Sequence, residues 1–170
     1  MMDEIKFLLG EYRDKEFGYS FQIIEIFIND RNLLDVVTEV ERKNAQHIGL
    51  DFGGNYTGLQ ATPYVVEGDH FLGTSFPSWP KHHDWVLGCT CGNPGCWDIL
   101  AFIEADDKIV RWSKIVNPWL AHGLPTVWHT EPPEDFVAFD YSSIGSYAFD
   151  RGQYDYALNN LRLSFRNMKP

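Results

Sequence analysis

Trp85-Val86-Leu87-Gly88-Cys89-Thr90-Cys91-Gly92-Asn93-Pro94-Gly95-Cys96-Trp97-Asp98-Ile99-Leu100-Ala101-Phe102-Ile103-Glu104-Ala105-Asp106-Asp107-Lys108-Ile109-Val110-Arg111-Trp112-Ser113-Lys114-Ile115 decides the fold class. Residues 85–89 read as a short strand, 96–105 as a second, and 109–115 as a third with period-two alternation. Asp106-Asp107-Lys108 is a hairpin turn. Connections this short cannot hold the crossover that parallel strands require, so the arrangement is an antiparallel meander. Upstream, Phe21-Gln22-Ile23-Ile24-Glu25-Ile26-Phe27-Ile28 is β-branched and aromatic and reads as a buried strand. Asn29-Asp30-Arg31-Asn32 turns the chain. Leu33, Leu34, Val36, Val37 and Val40 then recur at helical spacing, with Asp35, Glu39, Glu41, Arg42 and Lys43 assigned to the opposite, polar face. Downstream, residues 136–139 and 146–149 read as short strands. Asp150, with Gln153 three residues on, resembles a capping box before a helix whose apolar stripe is Tyr154, Ala157, Leu158 and Leu161. The expected fold is α+β: an antiparallel sheet (meander) with helices packed on one face and a zinc-knuckle-like hairpin at one sheet end.

Two stretches resist this reading. Residues 1–20 are charged and weakly patterned, and read as a lead-in segment with room for a short helix. Between His47 and Lys81 periodicity is lost among glycines and prolines, and only residues 64–66 and 70–72 read as short strands. No shift in composition marks a linker, so residues 1–170 are expected to form a single domain.

Lys plus Arg is 14 and Asp plus Glu is 24, a net charge of −10. That sign opposes nucleic-acid binding, which rests on neutralising phosphates, and docking on anionic lipid. It suits a basic protein partner. Hydrophobic residues make up 44% of the chain, too many for disorder. The acidic start, Met1-Met2-Asp3-Glu4, reads against a signal peptide, and no apolar run approaches the ~20 residues that span a bilayer, so a cytoplasmic protein is expected.

The cysteines carry the clearest chemistry. All 3 lie within Cys89-Thr90-Cys91-Gly92-Asn93-Pro94-Gly95-Cys96. On extended backbone, Cys89 and Cys91 point to one side. Pro94-Gly95 suits the centre of a type II turn that would return Cys96 towards them. Three thiolates at a hairpin tip supply most of a tetrahedral zinc site, one structural zinc per chain, with water or a histidine to complete it. His122 and His129, in the proline-rich loop after the meander, are ranked ahead of His82 and His83, which an extended strand holds far from its other end. Competing readings are three small buried hydrophobes or a Cys91–Cys96 disulfide, the latter opposed by a reducing compartment.

Other signatures of catalysis are missing. Gly53-Gly54-Asn55-Tyr56-Thr57-Gly58 fits neither a dinucleotide loop nor a P-loop. His82-His83-Asp84 reads either as a polar turn or as part of a hydrolytic metal site. The block from Val86 to Trp97 resembles the signature of a group of small uncharacterised bacterial proteins with a Cys-x-Cys-Gly-x-Pro-Gly-Cys hairpin. Residues 28–34 and 149–154 are similar to its flanking blocks. The resemblance implies a bacterial origin and one compact domain, and it transfers no activity or catalytic residue.

The expected function is therefore a non-enzymatic protein-binding domain with a structural zinc hairpin, of the kind found in an immunity protein that neutralises a basic toxin. Tyr56, Tyr64, Phe71, Phe76 and Trp79 are the expected partner contacts, because aromatic anchors dominate protein interfaces. The alternative is a metal-dependent hydrolase in which the cysteines share a site with His82, His83 and Asp84.

Overall fold

The computed structural model describes residues 2–50, 54–73, 82–93, 96–121 and 137–168. In chain order these form β1 (Ile5–Arg13), β2 (Ser20–Ile28), β3 (Arg31–Asn32), α1 (Leu33–His47), β4 (Tyr56–Gln60), α2 (Pro63–Glu67), β5 (His83–Cys89), β6 (Ile99–Ala105), β7 (Ile109–Val116), a single 3-10 turn (Ser142–Ile144), β8 (Tyr147–Asp150) and α3 (Arg151–Asn167). The sheet runs β1-β2-β4-β5-β6-β7-β8, with β3 beside β2, and every neighbouring pair is antiparallel. This is the α+β meander expected from the sequence. Its ends also meet: Asp3, just before β1, bridges Phe149 of β8 in parallel, and Asp3 N donates to Ala148 O at 2.8 Å. The sheet therefore curls until its first and last strands touch.

Side chains from the curled sheet, α1, α2 and α3 form one hydrophobic cluster. Its centre is aromatic: Phe7 packs edge-on to Tyr154, and Phe71 stacks on Trp112. Trp112 Nε1 donates to the Tyr154 hydroxyl, which donates to Phe71 O at 2.7 Å. Burial without these partners would cost each polar group on the order of 1–3 kcal/mol.

The structure departs from the sequence reading in five places. Residues 5–13 are a full strand rather than a lead-in. Ile5 and Phe7 face the core, the intervening Lys6 faces outwards, and the register with β2 runs from Ile5↔Ile28 to Arg13↔Ser20. β4 was hidden by Gly58, which looks like a strand breaker. A Cβ there would stand 2.5 Å from Ile24 O, so the close approach of β4 to β2 demands glycine. Tyr64-Val65-Val66 belongs to a helix: Thr62 Oγ1 accepts from Val65 N, Pro63 supplies the fixed first-turn φ, and this start signal outweighs β-propensity. Residues 70–72 form a turn, and 137–139 are irregular, with Phe139 N donating to Leu120 O. Among the described residues, no helix is long and apolar enough to cross a membrane.

Candidate metal centre

β5 ends at Cys89 and the chain turns at once. Gly92 N donates to Cys89 O at 3.0 Å, and Gly92 has φ +73°, where a side chain would be strained and would also press on the Phe21 ring. Cys96 N donates to Asn93 O at 3.3 Å, the bond that closes a four-residue turn. Pro94 and Gly95, on which the type II assignment rests, lie outside the described residues. The loop is tied to its surroundings by Thr90 N to Asn55 O and by the Tyr19 hydroxyl to Thr90 O, both at 3.0 Å.

The result is convergence. Sγ atoms of Cys89, Cys91 and Cys96 all lie within 4.8 Å of one another. Sulfurs on a tetrahedral zinc stand roughly 3.8 Å apart, given a zinc–sulfur distance of about 2.3 Å. Small side-chain rotations therefore separate the present geometry from coordination, and the group could hold a metal ion. All three cysteines are free thiols, so the disulfide reading is not realised.

The thiols are not equivalent. Burial pushes Cys89 up to about 12. Burial acts the same way on Cys91, but the Asn93 N–H and the thiols of Cys89 and Cys96 outweigh it and hold Cys91 below its ordinary value. Cys96 is raised, chiefly because its thiol hydrogen-bonds to Cys91 and secondarily by burial. Without metal, Cys91 is thus the first thiolate, with its two neighbours as donors. A cation would favour ionisation of all three.

Asp98, which sequence reasoning passed over, is almost wholly buried behind the loop, and its Oδ1 accepts from Cys89 N at 3.1 Å. An acid two residues after the last cysteine, directly before the apolar run 99–103, was the available signal.

Other expected site residues fall elsewhere. His122, His129, Phe76 and Trp79 lie outside the described residues. His83 and Asp84 are buried at the opposite end of β5, roughly 20 Å of extended chain from Cys89. Asp84 Oδ2 accepts from Gly73 N, and the rings of His82 and His83 pack edge-on to Phe102. These three residues do not share a site with the cysteines. Tyr56 and Phe71, expected at a partner interface, are buried in the core, and only Tyr64 of the described three is exposed. Comparison with protein-family models, curated proteins and solved structures finds no match to the chain.

Proposed function

We propose that this is a zinc-binding protein in which Cys89, Cys91 and Cys96 hold one structural Zn²⁺, and that it acts by binding a basic protein partner rather than by catalysis. The single observation that carries the metal reading is the clustering of three sulfurs within 4.8 Å at a turn. The carboxylate of Asp98 supports it, because its hydrogen bond to Cys89 N fixes the backbone of a ligand residue from outside the site. Protein purified without added metal should carry about one zinc per chain. A content near zero, with three freely titratable thiols after zinc addition, overturns the reading. Joint replacement of His82 and His83 by alanine should leave zinc content unchanged; its loss would favour the hydrolase.

The partner reading rests on the net charge of −10 and on exposed aromatics. Phe17 and Tyr19 stack at 6.5 Å near the β1–β2 turn, and Tyr19 reaches the cysteine loop through Thr90. An immunity protein facing a basic toxin would use such a surface, with charge hastening encounter and aromatic rings holding the complex. The product of the adjacent open reading frame is the candidate to test. Supporting evidence is a stable complex whose association rate falls as salt rises; no complex at micromolar protein, or one indifferent to salt, overturns the proposal.

A further inference from the structure

A cavity of about 250 Å³ opens between β2, β4 and β5. Phe21, Leu59, Val65 and Trp85 supply its apolar walls, and Cys89 and Asp98 mark the edge towards the cysteine loop. Gly58 and Gly88 both line it, for different reasons. Gly58 is forced by the close approach of Ile24 O. Gly88 is not forced. Its φ lies outside the left-handed region, and a Cβ there would meet nothing nearer than Gly58 O at 3.6 Å and Leu59 Cα at 3.8 Å, which is ordinary contact. Neither backbone conformation nor packing calls for glycine at position 88. A Cβ at position 88 fits against the β4 backbone without strain, and the residue lies on the lining of this cavity.

We propose that this cavity is a binding site for a small uncharged aromatic molecule of one or two fused rings. Size comes first: an apolar cavity of about 150 Å³ already takes up benzene, so 250 Å³ has room for a bicyclic ring. Shape and chemistry follow. Three aromatic residues, Phe21, Tyr64 and Trp85, line the cavity, and ring faces and edges pack well on other rings. Among the described residues no Lys or Arg lines it, while Asp98 does, so an acid would bury its charge beside a carboxylate. Gln60 and Asn93 are among the lining residues, and a polar atom of either is the candidate partner for one polar atom of the guest, such as an indole N–H.

Indole is a suitable probe, followed through the methyl NMR signals of Leu59 and Val65. Saturable ring-current shifts at both are expected, and none with benzoate, the charged comparison. Gly88→Val should abolish them while circular dichroism and melting temperature stay as in the parent, and Gly88→Ala should weaken binding by an intermediate factor. Absence of saturable shifts in the parent protein overturns the proposal. So does a folded Gly88→Val protein that binds indole as the parent does, or, should that variant not fold, unchanged affinity in Gly88→Ala. Zinc content measured on the same samples separates the two readings. Zinc without indole binding removes the cavity proposal alone, and indole binding without zinc removes the metal proposal alone.

Discussion

Glu41 has no solvent exposure, and its Oε1 accepts from both the Tyr56 hydroxyl at 2.6 Å and the Tyr141 hydroxyl at 2.5 Å. Asn117 Nδ2 donates in turn to the Tyr56 oxygen, while Glu41 Oε2 is buried with no hydrogen-bond partner among the described residues. Burial is the largest influence and raises the Glu41 pKa, against the pull of the two hydroxyls. The folded state therefore holds this proton more tightly than the unfolded chain does. Between the unfolded value near 4.5 and the higher folded value, stability falls as pH rises, because ionisation is harder inside the protein. Glu41→Gln should remove that part of the slope, read from urea midpoints taken from pH 4 upwards; identical slopes in the two proteins would refute the assignment. Asp98 gives a second test. Asp98→Asn keeps an oxygen acceptor for Cys89 N and should bind zinc nearly as well as the parent, whereas Asp98→Ala should lose about 10-fold or more. Competition with a chromophoric chelator measures both, and equal affinities would show that the hydrogen bond does nothing for the ligands. At this scale the sequence was legible for cysteines and misleading for acids. Glu41 was placed with the charged face of its helix, although Leu33, Val37, Glu41 and Ala45 fall at four-residue steps and all are buried.

Elements were legible where a short-range signal and the tertiary environment agreed. Asn32 caps α1 by accepting from Leu34 N, and Asp150 caps α3 by accepting from Gln153 N at 3.0 Å. The capping box at α3 is only half made: no bond from Asp150 N to Gln153 Oε1 is seen among the described residues, and Gln153 Nε2 donates to Ile5 O, tying the helix to β1. Asp150→Ala should thus cost about 1 kcal/mol, the usual value for a lost N-cap, seen as a lower urea midpoint with an unchanged slope. A midpoint equal to that of the parent would mean the cap is replaced by solvent. β1 and β4 were missed for the opposite reason. Their evidence lies in partners far along the chain, Ile28 for Ile5 and Ile24 for the glycine at 58, and no local window contains it.

Closure of the sheet belongs to the whole molecule, and nothing local announced it. Seven strands laid side by side in strict antiparallel order make the first and last run the same way, so any bridge between them must be parallel, as the Asp3–Phe149 bridge is. Asp3 holds the seam with its side chain as well. Its Oδ2 accepts from Ala148 N, and its Oδ1 accepts from Asn29 Nδ2 in the turn after β2, both at 2.8 Å. One residue thus joins the β2 turn, the start of β1 and the last strand. Asp3→Ala deletes two charge-assisted bonds at a partly exposed site and should cost about 1–2 kcal/mol. The cost should be local in its dynamics: the Ala148 amide, which donates to that carboxylate, should exchange with solvent much faster, while amides of the buried β6 strand keep their protection. Uniform acceleration across the sheet would instead mean that the seam is part of one cooperative unit with the core. Unchanged exchange at Ala148 would mean that the carboxylate does not hold the closure at all.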